Sequence, residues 1–412
     1  MALTQDNAAW FADTFARIVD NVGQALLGKR DVVRLALTTM LAEGHLLLED
    51  APGTGKTALA RALAATVQGT HSRVQFTPDL LPSDITGVTI FDQKTGEWTF
   101  HPGPVFASVV LADEINRASP KTQSALLEVM EESTVTVDGV RHETGRPFMV
   151  IATQNPIEQA GTYRLPEAQL DRFLMKTTIG YPDRAALTRI LAGSANPDRS
   201  TSLSTVITAS AVAQMADLAA GNHVDDSVLD YIGALVEATR ESPDTRLGVS
   251  TRGAIVMTRT VRVWAASQGR AYVLPDDVKD LAETVWAHRL VMDPDAEFSG
   301  ATARGVITRA LEETPAPTSS SSGSPSSGSA PTSSSRTYGS DPGYTSDSSW
   351  EDEGSQSDAS ASSAVVAQDS STRTIGGLLA FTGAGAALVL AALTLLALGL
   401  LMLWRSRVEE QA

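Results

Sequence analysis

The chain has 412 residues, which is room for roughly two or three domains and a sizeable core. Its formal net charge of -16 argues against nucleic acid as a partner, because phosphate contacts need a basic surface. It contains no cysteine, so disulfides, thiolate nucleophiles and cysteine-ligated metals are excluded.

The first residues, Met1 to Asn7, have neither a basic n-region nor an apolar h-region, and no secretory signal is expected there. From Leu3 to Leu27 the apolar residues Trp10, Phe11, Phe15, Ile18, Val19 and Val22 recur at helical spacing. This predicts one amphipathic helix or two short ones packed on the core. After Gly28-Lys29-Arg30 a second helix is expected, with Asp31 placed as its N-cap.

The stretch Leu46 to Thr57 carries the first chemistry. An apolar run suited to a buried strand gives way to a Gly-rich turn, then to Lys56-Thr57 and a helical segment, Ala58 to Leu63. Strand, turn and helix in that order are the context of a phosphate-binding loop. In such a loop Asp50, Ala51, Pro52, Gly53, Thr54, Gly55, Lys56 and Thr57 would cradle a triphosphate, with backbone N–H groups and the helix dipole favouring negative charge. Lys56 would reach the β- and γ-phosphates, and the Thr57 hydroxyl would ligate magnesium. The spacing G-x-x-x-x-G-K-[ST] is met except at its first glycine, where Asp50 stands.

Val74-Gln75-Phe76 is expected to be a strand, and Thr89 to Phe100 a hairpin turning at Gly96. Val109 to Ala112 is an apolar strand that ends in Asp113 and Glu114, the form of a Walker B segment. There Asp113 would hold magnesium through water and Glu114 would polarise the attacking water. Phosphoryl transfer needs little beyond such positioning and charge neutralisation. A helix from Ser119 to Glu132 follows, then a second hairpin around Asp138-Gly139, then a strand from Phe148 to Thr153. That strand leads into Asn155, and a polar group at the C-terminal end of a parallel strand lies where ligands bind. Leu165 to Phe173 is read as a short helix with Arg172 near its end, where an arginine can also simply complement the dipole. Leu203 to Leu311 shows no convincing strand and is read as helices, which implies an all-helical module after an α/β one.

Composition then changes sharply. Pro315 to Thr374 is dominated by Ser, Gly, Pro and Thr with a surplus of acids, the composition of a disordered tether. Residues 375–404 carry no charge and are long enough for one transmembrane helix.

Four segments, in order and suitably spaced, resemble the MoxR family of AAA+ ATPases. They are residues 44–57 and 112–118, Ala152-Thr153-Gln154-Asn155-Pro156, and Leu165 to Phe173. Asp50 at the first loop position is common in that family. The resemblance implies an α/β fold, an AAA+ P-loop NTPase with a three-layer αβα core followed by an all-α lid. The boundaries expected are an N-terminal helix at 1–26, the core at 27–183, the lid at 184–313, the linker at 314–374, the transmembrane helix at 375–404 and a tail at 405–412. It implies ATP and Mg2+ as cofactors. By the same resemblance Asn155 is sensor 1, Arg172 the arginine finger that enters a neighbouring subunit's site, and Arg252 sensor 2 on the lid. Thr251 stands where the family usually has proline, and so does Arg164, a weaker finger candidate than Arg172. The two hairpins resemble inserts that face a ring's central pore. A homo-oligomer, a hexameric ring, follows from the finger. Client proteins, including von Willebrand factor A domain proteins, follow from the family.

Within the apolar stretch, Leu379-Ala380-Phe381-Thr382-Gly383 resembles a cell-wall sorting signal, which would need export of the chain. An ATP-dependent core needs the cytoplasm. The expectation is therefore an ATP-hydrolysing, chaperone-like remodeller with a cytoplasmic ATPase domain held at the membrane by 375–404. The alternatives are a non-catalytic, membrane-tethered scaffold switched by nucleotide, and a cytoplasmic or wall-sorted chain.

Overall fold

The first helix, α1 (Gln5–Ala25), is continuous, and Thr4 caps it by accepting from the Asn7 backbone N–H. Phe11, Phe15, Ile18, Val19 and Val22 are buried, whereas Trp10 is 45% exposed and lies outside the expected stripe. In α2 (Arg30–Leu41) the N-cap is Lys29 and not Asp31. Asp31 sits inside the first turn, where its charge favours the helix dipole instead. The computed structural model describes residues 3–155, 163, 165–193 and 198–317. Most of the linker, all of 375–404 and Arg164 lie outside them.

The core follows as β1 (Leu46–Glu49), α3 (Lys56–Thr66), β2 (His71–Gln75), α4 (Pro82–Thr86) and a hairpin of β3 (Gly87–Asp92) with β4 (Glu97–Pro102). Then come β5 (Val109–Asp113), α5 (Pro120–Glu132) and a second hairpin of β6 (Thr134–Val137) with β7 (Val140–Glu143). Asp138 and Gly139 both take positive φ at its tip, 50° and 79°, as a tight two-residue turn requires. The core closes with β8 (Met149–Gln154), α6 (Glu167–Leu170), β9 (Met175–Thr177) and α7 (Arg184–Ala192). The expected helix at 165–173 is thus only its middle turn.

Five strands form one sheet in the order β2-β5-β8-β1-β9, and all its pairings are parallel. Their side chains alternate between two apolar clusters. Leu46, Leu48, Val109, Leu111, Met149 and Ile151 face one, and Leu47, Val110, Ala112, Val150 and Ala152 face the other. A parallel sheet buried on both faces makes three layers, and that is why these strands read as unbroken apolar runs. Leu46, Leu47 and Leu48 are fully buried; each is worth roughly 2 kcal/mol relative to exposure.

The C-terminal helices are α8 (Ala209–Ala220), α9 (Asp226–Glu241), α10 (Thr251–Ser267) and α11 (Pro275–Trp286), followed by α12 (Pro294–Phe298) and α13 (Ala303–Glu313). This region is not purely helical. Two short strands, β10 (Thr245–Leu247) and β11 (Val291–Met292), pair antiparallel within it. Its core is continuous with the face of the sheet covered by α1, α2 and α3. The Arg34 guanidinium lies over the Trp264 ring at 4.4 Å and ties α2 to α10.

Because the sheet is parallel, its two edges differ. Gln75, Asp113, Gln154 and Glu49 end strands on one, here the C-edge; His71, Val109, Met149 and Leu46 begin them on the other, the N-edge. Among the described residues no helix is long and apolar enough to cross a membrane.

Candidate active site

The loop after β1 leaves the sheet at its C-edge and turns into α3. Gly53 (φ 83°) and Gly55 (φ 103°) take the left-handed backbone that a side chain resists, and a Cβ on Gly53 would point into open space. Gly55 is the N-cap of α3, and it supplies no side-chain cap. Helices α5, α7, α8, α9 and α10 each have one. The first-turn N–H groups of α3 are therefore left for an external anion, at the positive end of the helix dipole. Lys56 Nζ donates to the Asp50 carbonyl at 3.1 Å, so its ammonium lies over the loop.

Asp50 itself faces away from that cradle. Its buried carboxylate accepts from the backbone N–H groups of Ile179 (2.6 Å) and Gly180 (2.8 Å), just past β9. A glycine in its place could not make this brace.

Asp113 ends β5 and is 9% exposed. Thr153 Oγ1 donates to its Oδ1 at 2.7 Å, and Arg73 on β2 donates to Oδ2 at 2.6 Å. Glu114 has left-handed backbone (φ 57°), which turns its side chain off the strand line. Its Oε2 accepts from Gln75 Nε2 at 2.6 Å and from Arg117 at 2.8 Å, and its backbone N–H donates to Thr153 Oγ1 at 2.8 Å. Thr153 thus holds both acidic residues at once. Asn155 is buried at the same edge, one residue past β8.

The donor set fits magnesium triphosphate: one ammonium, a hydroxyl at Thr57, carboxylate oxygens and uncapped helix N–H groups. Beside the loop is a cavity of about 290 Å³, walled by Leu26, Leu27, Lys29, Pro182 and Ile190.

Arg172 and Arg252 are elsewhere. Arg172 lies three residues before β9 begins, and so at the N-edge. Arg252 opens α10, which reaches the same edge: Arg259 donates to the carbonyls of Ala42 and Glu43, just ahead of β1. Arg172 Nε donates to Glu131 Oε2 at 2.8 Å, and Arg252 pairs with Oε1 of the same carboxylate. The Arg172 hydrogen bond first, and the Arg252 charge after it, hold the Glu131 carboxyl below its ordinary value. One residue before Arg172, Asp171 accepts from Arg289 Nε at 2.9 Å and from Ser250 Oγ at 3.2 Å. The Arg289 side chain is 1% exposed, and burial pushes its guanidinium down to about 10. A cavity of about 610 Å³ opens here between core and helices, with Arg172, Arg252 and Arg259 in its wall.

The predicted residues therefore fall into two groups. The loop, Asp113, Glu114 and Asn155 converge at the C-edge; Arg172 and Arg252 converge with each other at the opposite edge. Sequence reasoning missed Gln75, Arg73, Thr153 and Glu131, and the apolar wall at Leu26 and Leu27. The available signal was a polar side chain at or next to the C-terminal end of each strand that flanks β5, Gln75 on β2 and Thr153 on β8.

A parallel sheet with a phosphate loop after one strand and an acidic pair ending another defines a P-loop nucleoside triphosphatase. Residues 45–175 match the ATPase family associated with various cellular activities (AAA), and residues 237–310 match the AAA lid domain. The chain is 44% identical to YeaC of Bacillus subtilis over 74% of its own length and 96% of that protein. To Chaperone MoxR1 of Mycobacterium tuberculosis it is 39% identical, over 74% of this chain and 82% of that one. It is 33% identical to Protein MoxR of Paracoccus denitrificans, over 66% of this chain and 87% of that one. A crystal structure from Cytophaga hutchinsonii superposes with a TM-score of 0.71 at 35% identity, covering 76% of this chain and 97% of that one. The chain belongs to the MoxR family of AAA+ ATPases.

Proposed function

We propose that this chain hydrolyses Mg-ATP at a site shared between two copies of itself, and uses the cycle to remodel partner proteins in a chaperone-like way. One observation carries the reading: the groups that would hold and attack the triphosphate lie at the C-edge, while Arg172 and Arg252 lie together at the N-edge. In a head-to-tail ring the N-edge of one subunit meets the C-edge of the next.

The loop N–H groups and Lys56 bind the β- and γ-phosphates, and Leu26, Leu27 and Ile190 wall the nucleoside. Thr57 and Asp113 would hold magnesium, Asp113 once released from Arg73. Magnesium, when bound, neutralises charge on the phosphates. Glu114, once it leaves Gln75 and Arg117, orients the attacking water together with Asn155. Arg172 and Arg252 of the adjacent copy add positive charge where the transition state spreads negative charge.

The relatives named as chaperone or MoxR proteins support the remodelling part. The two hairpins supply a working surface: Phe91 packs on Trp98 at 5.2 Å, Phe100 of β4 stacks on His142 of β7 at 4.0 Å, and Trp98 is 71% exposed. A hexameric ring, clients with von Willebrand factor A domains and a membrane tether through 375–404, with the ATPase domain in the cytoplasm, complete the proposal.

Steady-state phosphate release by the full chain tests it. Many Mg-dependent turnovers per subunit are expected, abolished in Lys56→Ala. Stoichiometric ATP binding with no turnover would instead identify a nucleotide-switched scaffold.

A further inference from the structure

Glu131 takes no part in the chemistry above, yet it occupies both arginines on which that chemistry depends. It lies in the last turn of α5 and is followed by Glu132, with no basic residue in that turn. Acids there oppose the helix dipole, so the helix gains nothing from this carboxylate. Nor is Glu131 needed to bring the arginines together. Asp171 is adjacent to Arg172 in the chain, is bonded by Ser250 two residues before Arg252, and is gripped by the buried Arg289. That clamp fixes both backbones whatever Glu131 does.

Two guanidiniums from different layers, each on a different oxygen of one anion, form a donor set suited equally to a phosphoryl group. The Arg172, Arg252 and Glu131 side chains are 31%, 42% and 35% exposed, open to a second molecule.

We propose that Glu131 is an internal stand-in for the neighbour's terminal phosphate, occupying Arg172 and Arg252 until a nucleotide-loaded subunit displaces it. The inference rests on the reading that both arginines act on an adjacent copy. It makes assembly of the active interface a competition between phosphate and carboxylate, and it makes Glu131 a positioning residue with a negative effect.

Phosphate release by the full-length protein is measured over a range of protein concentrations for wild type and for Glu131→Gln, Glu131→Ala, Glu131→Asp and Arg172→Ala. Removing the charge should lower the concentration giving half-maximal specific activity about fivefold, the worth of a partly exposed ion pair, and leave the plateau intact. Glu131→Ala should follow Glu131→Gln, and Glu131→Asp should stay near wild type. An unshifted curve, or a lowered plateau in both neutral variants, would overturn the inference, the latter because Glu131 would then be assisting the arginines. Arg172→Ala separates the two ideas. If it is as active as wild type, the reading of Arg172 fails; if it is silent, that reading stands and the Glu131 curves alone decide.

Discussion

Asp50 breaks the phosphate-loop pattern in the sequence, and its geometry explains why that position is not glycine. Its two carboxylate oxygens serve the N–H groups of Ile179 and Gly180. Asn can accept only through one oxygen and would turn its amide towards a second donor. Asp50→Asn should therefore cost at least about 2 kcal/mol in chemical denaturation, close to Asp50→Ala, because buried donors are left unpaired. A loss within error of zero would remove the brace. Glu114→Gln should leave nucleotide affinity near wild type and lower turnover at least about a hundredfold, the usual worth of a positioned base. Retained turnover would remove Glu114 from the chemistry.

His45 supplies a pH prediction. It is fully buried, and its ring bonds to the Met130 carbonyl and the Val150 N–H. Burial pushes its pKa from 6.5 down to about 4. The unfolded chain then binds more protons between those values, so stability is complete above pH 6.5 and falls as pH drops towards 4. From pH 7.5 to 5.0 the loss from His45 alone should be about 2 kcal/mol, and His45→Ala should shrink the pH difference by that amount. An unchanged difference would exclude it as the cause.

Lys56, Thr57, Asp113 and Glu114 were legible because each belongs to a short segment whose chemistry is local. Gln75 and Thr153 were not, because their meaning arises only when β2, β5 and β8 lie side by side. Glu131 was hidden for the same reason: nothing near it in sequence announces two arginines arriving from residues 172 and 252.

Among the elements, α5 joins the two edges. It starts a few residues after Glu114 at the C-edge, and its last turn carries Glu131 to the N-edge. Its start was readable from Ser119-Pro120, a side-chain cap followed by a first-turn proline. The hairpins were readable from alternation and from Asp138-Gly139. The pair β10 and β11 was not, since two or three residues carry no period. The docking of α10 and α11 on the segment before β9 depends on Arg289, whose removal strands the Asp171 carboxylate. Arg289→Met should cost about 3 kcal/mol and lower turnover through the displaced Arg172. A stable variant with full activity would show that the clamp does not position the arginine.

For the molecule as a whole, the acidic balance and the two-faced sheet were plain from composition and apolar runs. The separation of the arginines from the phosphate loop was not, because sequence order says nothing about which edge of a parallel sheet a loop occupies. That separation makes the central claim testable by mixing. Glu114→Gln has a dead site but an intact Arg172; Arg172→Ala has an intact site half but no finger. Each alone should be nearly inactive. Mixed in equal amounts and allowed to exchange, they should recover about a quarter of wild-type phosphate release, the fraction of head-to-tail interfaces that combine both intact halves. Activity no greater than the sum of the two separate variants would contradict a site shared between subunits.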